Sequence, residues 1–145
     1  DGKHYHVDRN EITLPTPPPP APLQQPSIPI WVVGAWPSEK SMARALRYHG
    51  LLPNVLDDAG RGKVRPSPAT PDEIRAMTAY IADKRPAGQP FDVVVEGETP
   101  GDDLPAALAQ VQPYAEAGAT WWIEARWSAS NLDHVLARIR QGPPR

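Results

Sequence analysis

Two apolar runs in this sequence close on a carboxylate: FDVVVEG on Glu96 and TWWIEA on Glu124. A carboxylate at the end of an otherwise apolar strand needs partners or a raised pKa, and such groups often serve as acids, bases or ligand anchors. The competing reading is a salt-bridged layer with Arg126 as the natural partner. After Glu96 come Gly97, Glu98, Thr99 and Gly101, just before a helix start. Free backbone N–H groups and a hydroxyl there suit a phosphate. Nothing matches a P-loop or a GxGxxG motif, however, and the same residues also read as a turn plus a helix cap. Of the five Trp, Trp36 and Trp127 follow strand ends and offer flat surfaces for a planar heterocycle. Trp121 and Trp122 lie within a strand, face opposite sides and read as buried area. His4 and His6 share a strand face but have no evident third metal ligand, so a polar edge strand is the reading. His49 and His134 fall near helix ends, where solvation is expected. No Ser-His-Asp arrangement can be assembled.

These residues need elements to hold them. Continuous apolar runs at Ile30 to Gly34, Phe91 to Glu96 and Thr120 to Ala125 predict strands buried on both faces, as in parallel sheets. Helical patterns follow. Ser38 caps a helix through about Tyr48, with Met42, Ala45 and Leu46 on one face. Thr70, Pro71 and Glu73 form a capping box ahead of Ile74, Met77, Tyr80 and Ile81. Asp102 or Asp103 starts a third helix with Leu104, Leu108, Val111 and Ala115 inward. Pro113 is expected to kink or end it, and Gly118 closes the unit. Ser130 or Asn131 starts the last helix, with Leu132, Val135, Leu136 and Ile139 inward. The stretch from Leu51 to Ser67 reads as a long loop. The order is strand–helix, helix, strand–helix, strand–helix, which gives an α/β fold with a parallel sheet.

Composition sets limits on partners. The chain has 145 residues, 15 Lys and Arg against 17 Asp and Glu, and a net charge of −2. This balance gives no electrostatic case for nucleic acid or an anionic membrane. The absence of Cys excludes disulfides, Cys-ligated metals and thiol catalysis, and fits a cytoplasmic location. Twenty prolines are about three times ordinary usage. Eight of them fall between Pro15 and Pro29, so the uncharged stretch there is no transmembrane helix. The chain divides into residues 1–26, a polar strand plus an extended Pro-rich arm, and residues 27–145, the α/β domain. HYHV suits an edge strand or hairpin arm, and the Pro run suits polyproline II. An opening Asp1-Gly2 is not a translation start, so a piece of a longer chain is expected.

DGKHYHV, a Pro-rich stretch and then IPIWVVGAW resemble the later part of the luciferase-like flavin-dependent monooxygenases. FDVVVEGETP and AGATWWIEARW are similar to the seventh and eighth strands of that family, and LDHVLARIRQGPPR to its final helix. The resemblance covers nearly the whole chain. It implies three parallel βα units, the last strands of a TIM (β/α)8 barrel of about 250 residues or more. It also implies reduced flavin mononucleotide (FMN) or a deazaflavin coenzyme, and a small-molecule substrate. By resemblance Gly34, Ala35 and Trp36 line the pocket after the sixth strand, Gly97, Glu98 and Thr99 follow the seventh, and Glu124 ends the eighth. No position matches a catalytic acid or base motif of the family. Three strands cannot close a barrel, so the piece is expected to be inactive alone and to associate with itself or with a missing N-terminal barrel half. Two other readings compete with this one. One is a non-catalytic α/β module that binds flavin or an anion. The other is an interaction protein working through its Pro-rich arm.

Overall fold

The computed structural model describes residues 23–57, 62–129 and 131–143, together with the backbone alone of strands 4–7 and 10–13. Those strands, β1 (His4–Val7) and β2 (Asn10–Thr13), pair as an antiparallel hairpin. The polyproline II reading falls largely on residues 14–22, outside the described residues, as do the side chains of His4 and His6.

A separate sheet holds β3 (Trp31–Trp36), β4 (Gly50–Val55), β5 (Asp92–Gly97) and β6 (Trp121–Glu124). All neighbours are parallel and lie side by side in chain order. Helices α1 (Glu39–Ala45), α2 (Pro71–Lys84), α3 (Leu104–Glu116) and α4 (Leu132–Gln141) follow the four strands in turn. The α/β class therefore holds, but there are four βα units where the sequence pattern gives three. The additional strand is GLLPNV, expected as the start of a loop. A Pro inside a strand argues against a central position, because it cannot donate to a ladder.

The sheet accommodates Pro53 by splitting. β4 matches β3 over its whole length, from Trp31 opposite Gly50 to Trp36 opposite Val55. Against β5 it pairs only Gly50 with Asp92 and Leu51 with Val93. Leu56 donates its N–H to Trp36 O at 2.8 Å, and Asp92 donates to His49 O at 2.9 Å. Even-numbered β4 residues thus turn their polar groups to β3, and odd-numbered ones, Pro53 included, to β5. The next rung toward β5 needs an N–H on Pro53, and none exists. Beyond that point Arg65 N–H takes Val55 O at 2.7 Å, and Leu56 bridges Val64. The chain after β4 is therefore inserted where the β4–β5 ladder stops.

Helix caps follow the sequence closely. Ser38 caps α1 through Ser41 N–H, and Met42 and Ala45 are buried. At α2 the Thr70 hydroxyl accepts from Glu73 N–H, and Glu73 accepts from Thr70 N–H at 2.7 Å. Ile74, Met77 and Ile81 are buried against Leu51, Val55, Val93 and Val95, which form the helix-covered side of the sheet. Arg65 donates twice to Glu73, at 3.0 and 2.8 Å, and once to Pro68 O at 3.0 Å. These bonds fix the segment from Val64 to Ala69 on α2.

Two helices bury only part of the face expected of them. In α3 the buried residue is Ala107, with Leu104, Val111 and Tyr114 half-buried, while Leu108 is 54% exposed. LPAALAQVQPYAE is apolar on most sides, so periodicity does not set its rotation; the Tyr114 ring on Trp122, 5.4 Å between centroids, does. Pro113 neither ends the helix nor shortens it before Glu116, and Gly118 closes the unit at φ +103°. In α4 Val135 and Leu136 are half-buried as expected, whereas Leu132 and Ile139 are 69% and 67% exposed and Arg138 is buried. A polar anchor has set the rotation of this helix.

Removing the α2 cap should be measurable. Thr70→Ala is expected to lose about 1 kcal/mol of stability, seen as a lower urea midpoint with an unchanged slope. An unchanged midpoint would contradict the role given to this cap.

Candidate functional site

The carboxyl ends of parallel strands are where α/β folds bind ligands. Here the two strand-end carboxylates face different ways. Glu124, at the end of β6, is saturated. Its oxygens accept Thr99 N–H at 3.0 and 3.1 Å, the Thr99 hydroxyl at 2.7 Å and Arg138 Nε at 3.3 Å. Arg126 Nε lies 3.5 Å away. Arg138 also reaches Thr99 O and the Thr99 hydroxyl, at 3.3 and 3.4 Å, and donates to Gly142 O. One carboxylate thereby ties the β5–α3 loop, the end of β6 and α4 together. Burial pushes the Glu124 pKa up, but the Thr99 hydroxyl and N–H and the Arg138 guanidinium outweigh it. The net shift is below the usual carboxylate range.

The phosphate reading of Gly97, Thr99 and Gly101 meets a different anion. Thr99 is buried, and its N–H and hydroxyl are committed to Glu124. Gly97 packs under the Trp122 ring, and Gly101 against Gln141, with no room for a Cβ at either place. The salt-bridge reading of Glu124 is present in the structure, with one more member than expected: Arg138 joins Arg126. Arg138 was legible only indirectly, as a cation on the helix following an apolar strand that ends in a carboxylate.

Gly34, Ala35 and Trp36 sit at the end of β3. A Cβ on Gly34 would meet Leu51 and Met42, Ala35 N–H donates to Ser41 Oγ at 2.9 Å, and Trp36 packs edge-on against Tyr80 in the core. The structure does not bring these three together with the groups after β5 and β6. Trp122 is in the core; Trp121 faces the other side, where it and Trp31 both donate their indole N–H to Asp92, at 3.1 and 2.9 Å.

Two adjoining cavities open beyond the strand ends. The larger, about 780 Å³, lies in the β4–β5 fork. Its floor is Val33, Leu52 and Val94; its wall is the segment from Val64 to Ala69; its rim carries Asn54, Glu96, Glu98 and Trp127. The smaller, about 410 Å³, lies between the loops after β5 and β6 and is lined by Glu98, Arg126, Ser128, His134 and Arg138, among others. Glu98 borders both. It accepts from Ser128 Oγ at 2.8 Å and lies 3.5 Å from Arg126 Nη1. Among the described residues no group of three or more His, Cys, Asp or Glu is placed to hold a metal ion. No described helix is long and apolar enough to cross a membrane.

No family model, curated protein or solved structure matches the chain.

The clamp should show in acid titration. A carboxylate whose pKa is lower folded than unfolded adds stability above its unfolded value, and that stability is lost as pH falls through the folded value. Glu124 fits this case, and so does Glu73, held down chiefly by its bonds from Arg65. Glu124→Gln is expected to cost about 1.5–3 kcal/mol at neutral pH and to flatten the loss of stability below the ordinary Glu pKa. Urea melts across that range check it, and equal pH profiles for variant and parent would contradict it.

Proposed function

We propose that this chain is the C-terminal part of a luciferase-like flavin-dependent monooxygenase or oxidoreductase, supplying the phosphate end and one wall of a flavin site. The observation that carries the reading is the pair of adjoining cavities at the carboxyl ends of four parallel strands in unbroken chain order. Doubly wound folds reverse strand order at their ligand crevice, whereas barrels do not. In barrels, phosphate groups commonly bind at the loops after the seventh and eighth strands. With β4 counted, β3 takes the fifth place in the barrel and β5 and β6 keep the seventh and eighth.

The donor set suits FMN. Arg126, Ser128 and His134 border the smaller cavity, where Arg126 lies 3.5 Å from both Glu98 and Glu124 and donates to Thr99 O at 3.3 Å. A phosphate there would displace Glu98 from Arg126 Nη1 and draw on Ser128 and His134 beside it. The apolar floor of the larger cavity suits a flat ring system, and its volume is that of a ligand site. Bound flavin supplies oxygen activation when reduced, and a deazaflavin would supply hydride transfer. This chain's residues bind the phosphate, exclude water from one face of the ring and hold the loops through Glu124.

The remaining barrel strands would come from a missing N-terminal half or from a second copy. β3 and β6 each pair on one side only among the described residues, and Leu132 and Ile139 face outward. Burying such a side chain is worth roughly 1.5–3 kcal/mol. The outward stripe of α4 is therefore a surface suited to being covered.

Titration with oxidised and reduced FMN, followed by Trp fluorescence, tests the reading. Saturable quenching at micromolar ligand is expected, because Trp127 stands on the cavity rim. Arg126→Ala should weaken binding about tenfold. No quenching up to millimolar ligand, from a chain that is folded by circular dichroism, would remove the flavin reading.

A further inference from the structure

The chemistry of the larger cavity differs from that of the smaller one. We infer that it binds an organic amine with an apolar body, its ammonium group held by Glu96 against the face of Trp127.

Charge is the first ground. Arg65, Glu96 and Glu98 are the charged residues lining this cavity. Arg65 is paired in a bidentate bridge to Glu73, and Glu98 is held by Arg126 and Ser128. Glu96 accepts one bond, from Trp127 Nε1 at 3.4 Å. A carboxylate offers about four acceptor sites, so Glu96 retains capacity for a donor. An anion brought to this rim would meet its uncompensated charge.

The second ground is Trp127, which is 84% exposed although it is the largest apolar side chain on the rim. Its N–H end is turned to Glu96, which leaves the ring face open. A cation between an indole face and a carboxylate gains cation–π attraction and an ion pair together. The third ground is the floor. Val33, Leu52 and Val94 are apolar and uninterrupted by charge, which suits a hydrocarbon or aryl body. The site exists because Pro53 ends the β4–β5 ladder, so it belongs to the backbone design. This floor is the one assigned above to the flavin ring, so ring and amine would compete for it; the binding of the amine does not rest on the function proposed above.

The test uses 2-phenylethylamine against its neutral counterpart 2-phenylethanol, titrated into the chain without flavin and followed by Trp fluorescence and 1H–15N spectra. The amine is expected to bind at least about tenfold more tightly than the alcohol. Glu96→Gln, which keeps an acceptor for Trp127, should abolish that preference. Trp127→Phe should retain most of the affinity and Trp127→Ala should lose it, with the spectra confirming that each variant is folded. Equal affinity for amine and alcohol, a preference that survives Glu96→Gln, or no binding by the folded chain would each overturn the inference. Flavin is absent throughout, so failure of the FMN titration leaves this result standing, and failure here leaves the FMN result standing.

Discussion

One missing hydrogen-bond donor shapes the ligand face of this protein. Parallel strands stay in register only while each rung finds its N–H and C=O partners. Pro53 cannot supply the rung that would follow Leu51 and Val93, so β4 stays with β3 and parts from β5. The gap is filled from outside the sheet by Arg65 N–H on Val55 O. Arg65 then holds Glu73, and Glu73 closes the α2 cap. The wall of the larger cavity is thus braced to a helix by the Arg65–Glu73 pair. A fork held open this way turns Val33, Leu52 and Glu96 to the same hollow.

The second organising element is the buried bonding around Glu124. It does for the β5 and β6 loops what Arg65 does for the wall. Thr99, Arg138 and Arg126 converge on one carboxylate, and a single pair could not fix three segments at once. Removing one member of such a cluster leaves partly buried charge uncompensated, so the groups persist as a set. The cost appears on α4. With Arg138 turned inward, the Leu132 and Ile139 stripe faces out. The two strand-end carboxylates therefore divide their roles: Glu124 holds structure, and Glu96 faces open space.

Much of the scaffold was legible in the residues, because local chemistry decides it. Thr70, Pro71 and Glu73 specify a helix start whatever lies around them, and FDVVVEG has no reading other than a strand. β4 was not legible, because Pro53 is evidence against a strand unless its neighbour on that side is known to be absent. The rotation of α3 was hidden by alanines on nearly every face. That of α4 was hidden because Arg138 looks like surface charge until Glu124 is placed beneath it. For the ligand face, the sequence marked Glu96, Glu98, Glu124 and Trp127 as strand-end chemistry. It could not sort the saturated carboxylate from the one with a single bond, since that depends on Arg138 of α4, about 14 positions beyond Glu124.

The claim that Pro53 holds the fork open is tested most directly by Pro53→Ala with amide hydrogen exchange. The variant restores the donor, and it also removes the pyrrolidine ring and frees φ. If the fork depends on the missing N–H, the amide at position 53 should become slow-exchanging, bonded to Val94 O, and the cavity between β4 and β5 should narrow. Affinity for 2-phenylethylamine should then fall at least about tenfold, since the cavity between the strands is narrowed. A fast-exchanging amide at position 53 with undiminished binding would show that the Val64 to Ala69 segment, and not the absent donor, keeps the strands apart.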